Sequence, residues 1–136
     1  MAQSSDHEQL LRTFFARWAV SFEELCQSMR DTMAEDCLFQ QTRLPDLVGP
    51  RATIAFLKEA RASFGFETFA VRVGTVIAQG RWVACERVDD MKDASGRVLA
   101  TFPAVCVMEI EGGKIRAWRD YFDSADMPAP GKAAAR

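Results

Sequence analysis

The sequence predicts an α+β fold: N-terminal helices packed in a strongly curved mixed, mainly antiparallel β-sheet that forms a cone. Three observations predict it. The first part of the chain carries apolar residues at three- and four-residue spacing. After Gly65, apolar and polar residues alternate in four long runs. The breaks between those runs, Gly80-Arg81, Ala94-Ser95-Gly96 and Gly112-Gly113, are short enough to demand antiparallel hairpins.

The elements follow in order. Leu10, Leu11, Phe14, Phe15 and Trp18 mark one face of a first helix, with Ser5 or Asp6 as its cap and His7 near a frayed start. Phe22, Leu25, Cys26, Met29 and Met33 mark a second helix over about Phe22 to Met33. Cys37 to Gln41 reads as a short strand with Phe39 and Gln41 on one face, and Arg43 to Gly49 as a loop punctuated by Pro45 and Gly49. Pro50 suits the first turn of a third helix, Pro50 to Ser63, with Ile54, Phe56 and Leu57 on its apolar side. The four strand runs are Phe66 to Gln79, Trp82 to Lys92, Val98 to Glu111 and Lys114 to Phe122. Pro103, inside the third run, predicts a bulge or an edge position. These elements make one domain over residues 1–127, and the Pro/Gly/Ala-rich tail 128–136 is predicted to be disordered.

Composition narrows the function. The net charge is −2 with no basic run, which argues against a nucleic-acid partner. No apolar stretch approaches the roughly 20 residues of a membrane span. The polar, acidic start does not read as an export signal, so the expected location is cytoplasmic and the four cysteines are expected as reduced thiols. Those cysteines have no metal-type spacing and there is a single histidine, so no metal site and no His-based catalysis are predicted.

Two stretches carry chemistry: Glu86-Arg87-Val88-Asp89 and Trp118-Arg119-Asp120-Tyr121-Phe122-Asp123. Side chains alternate between the faces of a strand, so Arg87 and Asp89 share a face with Val83, Cys85 and Met91. By the same parity Asp120 stands between Trp118 and Phe122. If both faces line one cavity, two carboxylates and a guanidinium meet in an apolar pocket. Burial raises a carboxyl pKa, and repulsion between two carboxylates keeps one protonated, so the set reads as an acid–base site. The alternative is a cross-strand ion pair on a solvated face. Glu86, Asp90, Arg116 and Arg119 have outward parity. Phe102, Ala104, Cys106 and Met108 share one face and line either a core or a ligand cavity. With no histidine to activate them, Cys85 and Cys106 read as small core residues. Ala84, Val88, Leu99, Val105 and Val107 put apolar groups on the opposite face, which predicts a homodimer covering it.

The Glu-Arg-Val-Asp run at 86–89, followed by Gly-Lys-Ile-x-x-Trp-Arg-Asp-Tyr-Phe-Asp at 113–123, resembles the limonene-1,2-epoxide hydrolase family. The resemblance extends from roughly Phe14 to Asp123 and includes Leu44-Pro45 and Gly49. It implies the cone fold shared with nuclear-transport-factor-like, SnoaL-like and ketosteroid-isomerase proteins, a homodimer, and no cofactor. It implies Asp89 as general acid toward an epoxide oxygen, Asp120 as the base that deprotonates water, and Arg87 as the bridge between them. The implied substrates are water and a small apolar epoxide, opened to a vicinal diol in one step. The family holds its water with a tyrosine and an asparagine, and the matching positions here are Phe39 and Gln41. Phenylalanine has no hydroxyl, and glutamine carries the amide one methylene further out. With Phe102, Ala104, Trp118 and Phe122, these two are the candidate substrate- and water-binding residues.

Two other readings use the same fold. A SnoaL-like isomerase or cyclase would shuttle a proton with one aspartate, but the only tyrosine, Tyr121, has parity opposite to Asp120. A non-catalytic binding protein for an apolar metabolite would account for Phe39 and Gln41.

Overall fold

A computed structural model describes residues 2–128. Its helices are α1 (Ala2–Ala16), α2 (Phe22–Thr32) and α3 (Gly49–Phe64). Its strands are β1 (Met33–Gln41), β2 (Leu47–Val48), β3 (Thr68–Gln79), β4 (Trp82–Lys92), β5 (Val98–Glu111) and β6 (Lys114–Phe122). They form one six-stranded sheet in the order β2-β1-β6-β5-β4-β3, curled but not closed. All neighbouring pairs are antiparallel except β1 with β6, which run parallel. Hairpins account for β3 to β6. The parallel pair has no local cause, because the whole of α3 and four strands lie between its members in the chain.

His7, Leu11, Phe14, Phe15 and Trp18 form the buried stripe of α1 and the 3-10 turn that follows it. His7 therefore faces the core and not a frayed end. The helix begins at Ala2, so Ser5 and Asp6 lie inside it and do not cap it. Ser21 caps α2, its hydroxyl accepting from the Glu24 backbone N–H at 3.0 Å. That helix stops at Thr32, and Met33 already belongs to β1, a longer strand than the expected Cys37 to Gln41. The expected loop before α3 contains the short strand β2.

Gly49 starts α3 with φ +79°, and a Cβ there would meet the Glu35 carbonyl oxygen. Only glycine allows the helix to leave so close to β1. Pro50 occupies the first turn as expected. Gly65 closes the helix in the left-handed conformation, its N–H bonding the Arg61 carbonyl at 2.8 Å.

Pro103 lies in β5, a central strand. It pairs with Val88 on one side, while the β5–β6 pairs begin only at Ala104↔Phe122. It thus has a strand neighbour on one side only, where a missing N–H is tolerated. Register shifts occur elsewhere, at Met91/Lys92 and Glu109/Ile110. No described helix is long and apolar enough to cross a membrane. The tail expected to be disordered lies, beyond Pro128, outside the described residues.

Candidate active site

Alternation places the site. On the concave side of β4, Val83, Cys85, Arg87, Asp89 and Met91 are all buried, as are Trp118 and Asp120 on β6. Between these strands lies β5, with Phe102 opposite Asp89, Ala104 opposite Arg87 and Cys106 opposite both Cys85 and Asp120. The small Ala104 leaves room for the guanidinium to lie across β5. Two strand spacings separate β4 from β6, about 10 Å, a span that an arginine reaching one way and an aspartate reaching the other can bridge.

Arg87 makes that bridge. It donates from Nη1 to Asp120 Oδ1 at 2.9 Å and from Nη2 to Asp120 Oδ2 at 2.8 Å. It donates from Nε to both Asp89 oxygens at 2.9 and 3.2 Å, and from Nη2 to Asp89 Oδ2 at 3.1 Å. Each of the three residues is 5% exposed. This is a buried network, and the solvated ion pair is excluded. The Trp118 indole N–H also donates to Asp120 Oδ1, at 2.6 Å. Aromatic rings flank the guanidinium, whose carbon lies 4.7 Å from the Phe15 ring centroid and 5.9 Å from that of Trp18.

Burial pushes the Asp89 carboxyl above its ordinary range, and the neighbouring Arg87 only partly offsets it. Burial also opposes the charge on Arg87, but Asp120 and Asp89 outweigh it and hold the guanidinium well above its ordinary value. A carboxyl that holds its proton more firmly than an ordinary aspartate therefore lies beside a guanidinium cation and a second carboxyl.

The network opens on a cavity of about 110 Å³, several times the space one water needs. Every candidate from the sequence lines it: Arg87, Asp89, Asp120, Phe39, Gln41, Phe102, Ala104, Trp118 and Phe122. Phe39 pairs with Trp118 and Gln41 with Asp120 in the parallel register. The Phe39 ring stacks on the indole at 3.8 Å and 14°. Gln41 Nε2 is buried and has no hydrogen-bond partner among the described residues, which leaves it a donor on the wall beside Asp120.

The opposite wall comes from the helices and was not assigned from sequence. Trp18, Met29, Thr53, Phe56 and Leu57 line it, together with Met127 beyond β6. An apolar helix face looks the same whether it meets a core or a cavity, so periodicity could not separate them. Cys85 and Cys106 sit beneath the network as free thiols with Sγ atoms 3.4 Å apart. Their mutual hydrogen bond lowers the Cys85 thiol pKa and raises that of Cys106. Of the residues with outward parity, Glu86 and Arg116 are exposed, Asp90 bonds Arg72 and Thr101, and Arg119 lies over Trp82. Tyr121 is 53% exposed on the convex side, away from the cavity.

Known proteins resemble this chain in sequence and in fold. The model of the limonene-1,2-epoxide hydrolase catalytic domain matches residues 8–131. The chain is 32% identical over 95 residues to the epoxide hydrolase EphG of Mycobacterium tuberculosis, an alignment covering 70% of this chain and 60% of that protein. Among solved structures it superposes on an LEH-like epoxide hydrolase of M. tuberculosis with a TM-score of 0.72 at 24% identity, covering 91% of this chain and 83% of the other. An NTF2-like protein of unknown function from Burkholderia pseudomallei superposes with a TM-score of 0.73 at 18% identity, covering 90% and 94%; at that identity the likeness speaks for the cone fold alone. With a family model matched from within α1 through β6, this chain belongs to the limonene-1,2-epoxide hydrolase family.

Proposed function

We propose that this protein is a cofactor-independent epoxide hydrolase that adds water to a small apolar epoxide and releases a vicinal diol. The observation that carries this reading is the buried Asp89–Arg87–Asp120 network at the wall of an apolar cavity. Asp89, the carboxyl whose pKa burial raises, gives its proton to the epoxide oxygen as the C–O bond breaks. Asp120 accepts a proton from water as the water oxygen bonds to carbon. Asp89 ends ionised and Asp120 protonated, so passing one proton back from Asp120 to Asp89 resets the site. Arg87 keeps its proton throughout and offsets whichever carboxylate is charged. Gln41 Nε2, free on the same wall and opposite Asp120 in register, is placed to donate to the water oxygen.

The test is a panel of terpene, cycloalkene and styrene-type oxides analysed for diol, with single turnover in heavy-oxygen water. The first diol formed should carry the label. Unlabelled diol from the first turnover would mean that an aspartate attacks carbon and forms an ester, and the water mechanism would fall.

Phe39 favours a second reading, a binding protein for an apolar metabolite, because it supplies no hydroxyl to the water. Tight binding of the oxides with no diol from any of them would decide for that reading.

The proposal extends to a homodimer built on the convex sheet face. Trp82, Val105 and Tyr121 are exposed there at 38%, 41% and 53%. An apolar sheet face of this kind is ordinarily covered. Light scattering at micromolar concentration should give twice the 15.2 kDa chain mass, and a monomer mass would refute it.

A further inference from the structure

We propose that Trp118 is a positioning residue for the base: its indole N–H, given to Asp120 and not to Asp89, adds to the bias that puts the site's proton on Asp89. This rests on the acid–base reading above and deepens it. Arg87 cannot make the choice, because it contacts both oxygens of each carboxyl at similar distances, 2.8 and 2.9 Å to Asp120 and 2.9 to 3.2 Å to Asp89. The guanidinium is a nearly symmetric bridge. The indole breaks the symmetry with a further donor at 2.6 Å. A donor to a carboxyl oxygen stabilises the charged form over the neutral one.

The same contacts say which oxygen works. Asp120 Oδ1 accepts from both Arg87 Nη1 and Trp118 Nε1, whereas Oδ2 accepts only from Arg87 Nη2. Each carboxylate oxygen has two acceptor sites, so Oδ2 keeps one open for the proton of the attacking water. The indole cannot turn its N–H away. It is fully buried, stacked on Phe39 at 3.8 Å, and met edge-on by Phe14 at 5.3 Å. Phe39 thereby acquires a role that needs no hydroxyl: it locks the ring that holds the base.

The titratable groups facing Asp120 are few. From β4 they are Arg87, Asp89 and Cys85, and from β5 Cys106. The two thiols bond each other. Across the sheet, β1 presents the neutral Gln41, and the α1 side presents the rings of Phe14, Phe15 and Trp18. None of these other than Arg87 gives Asp120 a hydrogen bond, so the indole is the donor that distinguishes the two carboxyls, and it acts in the same direction as the burial that raises Asp89.

The experiment is the pH dependence of kcat and KM for Trp118→Phe against the wild type. Activity needs an ionised Asp120, and losing a donor makes that charge harder to keep. The acidic limb of kcat should therefore move upward by about one pH unit, with KM nearly unchanged and kcat recovering as pH rises. A uniform fall in kcat with the limb unmoved would overturn the proposal, because that is what packing damage alone produces. If the variant does not fold, the wild type answers by NMR. The Trp118 indole N–H resonance, identified by its displacement in Asp120→Asn, should titrate with the acidic limb, and an indole signal that does not follow the limb would overturn the proposal. Failure of the underlying reading looks different: the wild type would form no diol from any oxide, or Asp120→Asn would remain as active as the wild type.

Discussion

Asp120→Asn should lower kcat by roughly three to four orders of magnitude on any epoxide the wild type opens, with the fold and KM preserved. Loss of a positioned acid or base costs about 10²–10⁴ in rate, and this change removes the base and weakens the acid. The amide has no basic oxygen for the water proton. Arg87 stays buried and cationic, and Asp89 becomes its only counterion. Removing the Asp120 charge also removes one of the causes that raise the Asp89 pKa, so Asp89 holds a proton less firmly and the acid is compromised with the base. Asp89→Asn resembles the resting protonated acid, leaves Arg87 paired with Asp120, and should cost less rate and almost no melting temperature. The measurement is kcat, KM and thermal melting for both variants. Near-normal turnover by Asp120→Asn would sink the assignment of the base.

Arg87→Ala should abolish turnover and destabilise the fold by about 3–5 kcal/mol, the usual cost of breaking a buried ion network. For a domain of this size that is a fall in Tm on the order of 10 °C or more. The deficit should depend on pH in a definite direction. Without the guanidinium, two buried carboxyls face each other, and both burial and mutual repulsion favour their protonated forms. Their pKa values in the folded variant then lie above the unfolded value of about 3.9. A group of that kind contributes stability that is fully present below the unfolded value and lost as pH rises through the folded one. The variant should therefore come nearest to the wild type in acid and fall furthest behind at neutral pH. Melting curves across the acid-to-neutral range check this. A deficit constant with pH, or largest in acid, would show that the carboxyls are not desolvated once the arginine is gone.

Much of this site was legible in the residue order. Parity alone put Arg87 and Asp89 on one face of β4 and Asp120 between Trp118 and Phe122 on β6, because a strand leaves each side chain only two directions. The hairpin breaks fixed the antiparallel order of β3 to β6. The helix side of the cavity was less legible. Met29, Thr53, Phe56 and Leu57 follow the same apolar period whether they meet a core or a ligand, so periodicity could find the stripe and not its use. His7 went the other way: nearness to the terminus suggested fraying, and an α1 that starts at Ala2 buries it instead.

The alternating pattern of the strands thus specified the chemistry that faces inward: an acid, an arginine and a second acid among apolar neighbours. What it left open was every relation between residues distant in the chain. The parallel pairing of β1 with β6 sets Gln41 opposite Asp120 and Phe39 opposite Trp118. No turn signal encodes that pairing, since its partners meet only after the helices have packed and the sheet has curled. The direction of the Trp118 N–H is also a matter of packing, because the backbone places the ring and its neighbours Phe39 and Phe14 orient it. Strand parity told which side chains share a surface; long-range pairing and packing told which oxygen each donor reaches, because a hydrogen bond depends on distances of a few tenths of an ångström that periodicity does not contain.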